Sequence, residues 1–137
     1  MIFVDTSFWV AFRNRRDAHH HEAEALLRSI GDEQLITSNH VRGETWTYLR
    51  RKAGYASAVS FLDDLERSER VEVVHVSTEL EWRALTWLRK RDEREYSFVD
   101  ATSFVLMRAM KIREALAFDE DFTAAGFREL RVFRLPR

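Results

Sequence analysis

Short apolar runs alternating with helical periodicity constrain this chain more than any other feature. Ile2-Phe3-Val4 is a continuous apolar run, the pattern of a parallel strand buried on both faces. A helix is predicted from Thr6 to Arg16, and a second from about Ala18 to Ser29, where Ala23, Leu26, Leu27 and Ile30 share one face. Gly31 ends the second helix, as glycine past a helix C-terminus does. Gln34 to Thr37 reads as a strand, and Ser38 or Asn39 caps a helix that runs to Lys52 and breaks at Gly54. Tyr55 to Ser68 is helical, with Ala58, Phe61, Leu62 and Leu65 on one side. The β-branched run Val71 to Val76 is a strand, and Ser77 or Thr78 caps a helix to about Arg91. Ser97 opens a helix carrying Phe98, Ala101, Val105 and Met110. Ala115 to Phe118 is a strand, Asp119 starts a short helical turn, and Leu130 to Phe133 is expected as the last strand.

Strands that alternate with helices imply right-handed crossovers and an α/β fold with a parallel sheet covered on both sides. At 137 residues, with no internal repeat and only four Gly and one Pro, the chain is expected to form one domain over 1–137. Cysteine is absent, which excludes a disulfide scaffold, a thiolate nucleophile and every Cys-ligated zinc or iron–sulfur site. No apolar run reaches the ~18 residues of a membrane span. Asp5 interrupts the apolar start and no basic segment precedes it, so no signal peptide is read and a cytoplasmic location is expected. The 22 basic residues against 23 acidic ones are not the footprint of a non-specific nucleic-acid binder. A local basic surface remains open to the chain, because charges can segregate by face.

In an open parallel sheet, ligands bind beyond the carboxyl ends of the strands. Asp5 directly follows the first strand there, and Asp119 follows Ala115-Leu116-Ala117-Phe118, with Asp121 two residues on. Glu44 sits one turn inside its helix and Asp100 in the first turn of another. Singly, each has an ordinary structural role: Asp5 and Asp119 as N-caps, Asp100 as the partner of Ser97 in a capping box, Glu44 as a solvated helix residue. Together they place up to five carboxylates at one edge. Two carboxylates ~5 Å apart repel by roughly 3 kcal/mol at an effective dielectric of about 20, so such a cluster raises pKa values or holds a cation. An all-oxygen donor set suits a hard ion, Mg²⁺ or Mn²⁺, and phosphodiester hydrolysis is the chemistry such a site supports.

Four stretches carry a resemblance: FVDTSFWVAF near the start, ETWTYLRRKAG from Glu44, YSFVDATSFVLMRAMKIREALAFDEDF from Tyr96, and AGF at Ala125. They resemble the PIN-domain family, and within it the VapC-type toxins of toxin–antitoxin pairs. The likeness spans essentially the whole chain. It places the family's acidic quartet on Asp5, Glu44, Asp100 and Asp119, with Asp121 at a further acidic position and Thr6 and Ser7 at the hydroxyl positions beside the first aspartate. It implies a three-layer fold with a five-stranded sheet ordered 3-2-1-4-5. It also implies an endoribonuclease dependent on Mg²⁺ or Mn²⁺, a homodimer, and a small VapB-like antitoxin joining a higher assembly. On chemistry and resemblance together, Asp5, Asp100 and Asp119 are expected to hold the metal, with Glu44 and Asp121 as further candidate ligands. Glu44 would orient the attacking water, and Thr6 would hydrogen-bond a carboxylate or a phosphate oxygen. The alternative is a PIN-like module that binds RNA or protein without cutting, against which the intact quartet argues.

Other features fit ordinary roles. His19, His20 and His21 are consecutive on a helix, so their side chains point about 100° apart and cannot converge on one ion. Arg13, Arg15 and Arg16, Arg50 to Lys52, and Arg89 to Arg91 each lie where a helix ends, where cations meet the dipole favourably. Arg42, near the start of its helix and close to Glu44, is the better candidate for gripping RNA, ahead of Arg108. Two rival phosphoryl chemistries lack their residues. A receiver domain needs paired acids after the first strand and a lysine after the last, whereas Thr6 and Ser7 follow Asp5 and no lysine follows Lys111. An aspartate-nucleophile phosphatase needs a second Asp where Ser7 stands.

Overall fold

The structure, a computed structural model, describes residues 1–132. Its elements run β1 (Ile2–Val4), α1 (Thr6–Arg13), α2 (His20–Ser29), β2 (Leu35–Ser38), α3 (Asn39–Lys52), α4 (Tyr55–Arg67), β3 (Val71–Val74), α5 (Thr78–Arg89), α6 (Phe98–Met110), β4 (Glu114–Leu116), α7 (Asp121–Ala124) and β5 (Arg128–Glu129). The five strands form one sheet ordered β3-β2-β1-β4-β5, and every pairing is parallel. The central strand β1 and its neighbour β2 are buried along their whole length, as the continuous apolar run of β1 requires. The strand order reverses beside β1, so β2 and β4 leave on opposite sides of it and open a crevice at its carboxyl end.

The helices flank this sheet and complete the three layers. Aromatic rings fill much of the space between: Phe104 meets Phe122 edge-on at 4.9 Å between centroids, and Trp87 meets Phe104 at 5.3 Å. Trp9, buried on α1, donates its indole N–H to the Thr37 hydroxyl, which in turn donates to the carbonyl of Val4. That chain of bonds ties the helix after β1 to the strand beside it. Helix starts follow the predicted caps. Ser38, Ser77 and Ser97 each accept a backbone N–H from the residue three further on, the geometry that satisfies a helix's first orphan donors. Gly54, at φ 95°, makes the turn between α3 and α4 in a backbone region that side chains disfavour.

Several boundaries differ from the sequence reading. Helix α2 begins at His20 rather than about Ala18, β3 ends at Val74 rather than Val76, and β4 runs Glu114–Leu116 rather than Ala115–Phe118, so Ala117 and Phe118 separate it from Asp119. Helix α1 ends at Arg13, because Asn14 leaves helical geometry and its carbonyl and side chain take the N–H groups of Asp17 and Arg16. The helical turn after β4 begins at Asp121 instead of Asp119, with Glu120 at φ 66° between them. The last strand is the pair Arg128–Glu129, bound to Glu114 and Ala115 of β4, and Leu130 to Val132 follow it outside any strand. Phe133, the end of the expected strand, lies outside the described residues.

Candidate metal centre

Each acid is aimed by the element it caps or opens. Asp5 is the N-cap of α1, and its backbone N–H donates to Leu116 of β4, which pins the ends of β1 and β4 together. Its carboxylate accepts the backbone N–H of Ser7 at 3.2 Å and the Ser7 hydroxyl at 2.8 Å. The same hydroxyl accepts the N–H of Phe118 at 3.0 Å, so one serine links Asp5 to the segment that carries Asp119. Asp100 closes a capping box with Ser97: it accepts the Ser97 N–H at 3.0 Å and its own N–H donates back at 2.9 Å. Both residues are nearly sealed from solvent, Asp5 at 2% exposure and Asp100 at 7%.

Carboxylate oxygens of Asp100, Asp119 and Asp121 all lie within 4.8 Å of one another. Asp5, Thr6, Ser7, Glu44 and these three aspartates line one cleft of about 440 Å³ at the carboxyl edge of the sheet. The sequence reading therefore brings its acids to one place. Glu44 is half-buried on α3, and the Thr6 hydroxyl is buried and accepts a bond from Thr45 at 3.4 Å. Arg42 is exposed on α3 and does not line the cleft.

The electrostatics follow from that crowding. Burial, then the like charges of Asp119 and Asp100, hold the Asp5 carboxyl well above the usual carboxylate range, against the bonds from Ser7. Burial pushes Asp100 up to about 7, with Asp119 and Asp121 adding to it and the bonds within the capping box opposing it. Asp119 stands at the exposed rim with protein on its inner side. Its partial loss of water, with Asp121 beside it, pushes it up to about 6. These protein donors leave the cluster short of positive charge. An all-oxygen set at these separations suits a hard divalent cation, and Asp100, Asp119 and Asp121 are placed to hold one, with Asp5 lining the same cleft.

Several residues in and around the cleft escape the sequence reading, Arg94 and Glu129 standing behind it on the acidic turn. Arg94, in the segment before α6, donates to Asp121 Oδ1 at 2.6 Å and to the backbone carbonyl of Asp119 at 3.2 Å. Glu129 holds the same turn from β5, accepting the N–H groups of Glu120 and Thr123. The acidic turn is thus clamped from both sides. Asp17, His19, Tyr48, Glu95 and Phe118 also line the cleft. The histidine run straddles the start of α2: His19 is its N-cap rather than a helical residue, and the three side chains do not converge. His20 is buried with Nδ1 against the Ala11 carbonyl at 2.8 Å, His21 is 97% exposed, and only His19 reaches the cleft.

Comparison with known proteins agrees with this geometry. The PIN domain family model matches residues 2–128. The 23S rRNA-specific endonuclease VapC20 of Mycobacterium tuberculosis is 53% identical over 131 residues, which cover 96% of this chain and 98% of that protein, in both strains compared. The crystal structure of Mycobacterium tuberculosis VapC20, described as a sarcin-ricin loop cleaving toxin, superposes with a TM-score of 0.91 across 96% of this chain and 99% of that one. With its sheet order, its acidic edge and these likenesses in agreement, the chain belongs to the PIN domain family.

Proposed function

We propose that this chain is the endoribonuclease toxin of a toxin–antitoxin pair, and that it hydrolyses one phosphodiester of ribosomal RNA using Mg²⁺ or Mn²⁺. The observation that carries the reading is the meeting of Asp100, Asp119 and Asp121 within 4.8 Å at the carboxyl edge of a PIN-family sheet. The substrate follows from the similarity to VapC20, a 23S rRNA-specific endonuclease. The toxin role carries with it a VapB-like antitoxin, a homodimer that joins the antitoxin in a higher assembly, and a cytoplasmic location. Residues 1–137 act as one unit.

Asp100, Asp119 and Asp121 would hold the cation, with Asp5 in the same cleft as a further ligand and Asp121 fixed by Arg94. A bound divalent cation supplies positive charge that favours deprotonation of the attacking water and offsets charge developing on the phosphoryl oxygens. Glu44, reaching the cleft from the second turn of α3, orients that water and accepts its proton. Thr6, whose hydroxyl accepts a bond from Thr45, is left with its own hydrogen to donate to a phosphate oxygen. In-line displacement leaves a 5′-phosphate and a 3′-hydroxyl.

The test is incubation of the purified protein with 23S rRNA and with a sarcin-ricin hairpin, in Mg²⁺, in Mn²⁺ and in chelator, with both new ends mapped. One dominant cut that needs the metal is expected. Failure to cut either RNA, or cutting undiminished by chelator, overturns the reading.

A further inference from the structure

Phe12, Phe8, Phe118 and His19 form a ladder of rings that climbs from the core into the cleft. Phe12 and Phe8 lie 6.2 Å apart at 6°, Phe8 and Phe118 5.8 Å apart at 21°, and Phe118 and His19 4.5 Å apart at 5°. The backbone of the residue that carries the last ring is tied down, and the ring itself rests on Phe118 beside Glu22. The His19 N–H donates to Asp17 Oδ1 at 2.8 Å, its carbonyl accepts from Ala23 at 2.9 Å, and Nδ1 lies 3.8 Å from Glu22. One imidazole face covers Phe118, yet the side chain is 45% exposed and lines the cleft. The ladder therefore ends in an exposed imidazole stacked on Phe118, the chain neighbour of Asp119.

We propose that His19 is a stacking platform for an unpaired RNA base beside the scissile phosphate. This rests on the ribonuclease reading and adds to it where the substrate sits and in what form. Away from the cation, the cleft wall offers little to a phosphate, because Asp17, Glu44 and Glu95 line it and repel anions. It offers a neutral flat group a good deal: Val10, Phe118 and the imidazole face stand together there. A nucleobase is such a group, and bases become free to stack on a protein ring only where RNA is single-stranded or looped. A ring already stacked on Phe118 loses little freedom when a base is added, so the contact is preorganised. The requirement for an unpaired base then selects loops over duplex without reading any base edge.

The experiment uses an RNA hairpin whose loop the wild-type protein cuts, with 2-aminopurine at the nucleotide flanking the cut. His19→Ala, His19→Phe and His21→Ala are compared in steady-state cleavage, and again for RNA binding in an Asp100→Asn background that leaves the strand intact. With His19→Ala, KM and Kd are expected to rise roughly 5- to 100-fold, the range of one lost base stack, with kcat within about threefold. His19→Phe restores both, and His21→Ala changes neither. The 2-aminopurine fluorescence is quenched on binding to the wild-type and Phe forms and stays bright with Ala. If Ala and Phe both behave as wild type, no platform exists. If both are equally impaired, the imidazole acts by hydrogen bond or proton and the stacking proposal is overturned. A wild-type protein that neither binds nor cuts RNA instead removes the ribonuclease reading itself.

Discussion

At the carboxyl edge of the sheet, Asp5 and Asp100 are buried and share a narrow cleft with Asp119 and Asp121. At the amino edge, Arg108, Lys111, Arg113 and Arg128 surround a broad hollow of about 1160 Å³ together with Met1, and all four side chains are exposed. A chain of net charge −1 has thus sorted its charges to opposite ends. Helix dipoles favour this sorting, since α1 and α6 begin at the acidic edge and α6 ends at the basic one. The two edges still differ in cost. A helix N-terminus favours a nearby carboxylate by about 0.3–1 kcal/mol, whereas each crowded pair loses roughly 3 kcal/mol at an effective dielectric of about 20. Capping alone does not offset the acidic cluster. The exposed cations stand in water and carry no comparable strain, so the buried edge is the one that gains most from a bound cation or proton.

The largest expected effect comes from neutralising that edge. Asp100→Asn keeps a side-chain oxygen to accept the Ser97 N–H, so the start of α6 survives. Cleavage is expected to fall on the order of 10²–10³-fold, measured by single-turnover cutting of labelled RNA. Thermal stability in chelator at pH 8 should hold or rise, because one of the repelling charges is gone. Activity within about threefold of wild type would remove Asp100 from the site.

A smaller effect concerns the metal-free protein and pH. Asp100 is raised to about 7, Asp119 to about 6, and Asp5 well above its ordinary range, whereas carboxylates in the unfolded chain titrate near 4. The native state therefore binds more protons between these values. The contribution of these carboxyls to stability is full below about pH 4 and is lost as pH rises through 6 and 7. In chelator, the melting temperature at pH 8 should lie several degrees below that at pH 5, after allowance for screening at the exposed Asp119. Saturating Mn²⁺ at pH 8 should recover it, since a ligand at about 100 times its Kd adds about 2.7 kcal/mol. A melting temperature that is flat across this range, with or without the ion, would show that the carboxylates are not crowded in solution.

How legible these edges are in the sequence depends on whether the determining interaction is local. Ile2-Phe3-Val4 and the Ser97–Asp100 box declare themselves because burial on both faces and capping are written within four residues. Most of the acids are legible for the same reason: Asp5 stands directly after a strand, Glu44, Asp100 and Asp121 in the opening turns of helices, and Asp119 within three residues of the end of β4. Strand β5 was not, because Arg128 and Glu129 have no apolar pattern and are a strand only by backbone pairing to β4. The early end of α1 hides in the Asn14 turn, where side-chain and backbone bonds of one residue outcompete the helical period. Arg94 lies 27 residues from Asp121, and His19 meets Phe118 across almost a hundred residues. Nothing in either neighbourhood marks the partner. The family resemblance supplied the sheet order and the quartet, and no clamp or ring ladder.

The basic edge supplies the smallest effect and the control for the rest. Arg128 pairs with Glu114 at 3.6 Å on the surface, and such exposed pairs are worth about 0–1 kcal/mol. Strand β1 rises about 3.3 Å per residue, so its two ends stand ~10 Å apart, about one Debye length at 0.1 M salt. Substitutions at the amino edge should therefore leave the carboxyl edge almost untouched. Arg113→Ala and Arg128→Ala are expected to change metal affinity and cleavage less than about twofold, and stability by no more than about 0.5 kcal/mol. Arg108→Ala should cost more, about 1 kcal/mol, because its guanidinium donates to the Ala125 carbonyl at 2.9 Å and covers the Phe127 ring at 4.8 Å. Calorimetric Mn²⁺ titration and denaturant melts of the three variants read both quantities. The ranking with Arg108 first in stability and all three level in metal affinity separates a solvated surface from a working one. A large loss of cleavage in Arg113→Ala with metal affinity intact would instead mean that RNA reaches around to this edge, and that the two ends of the sheet act on one substrate.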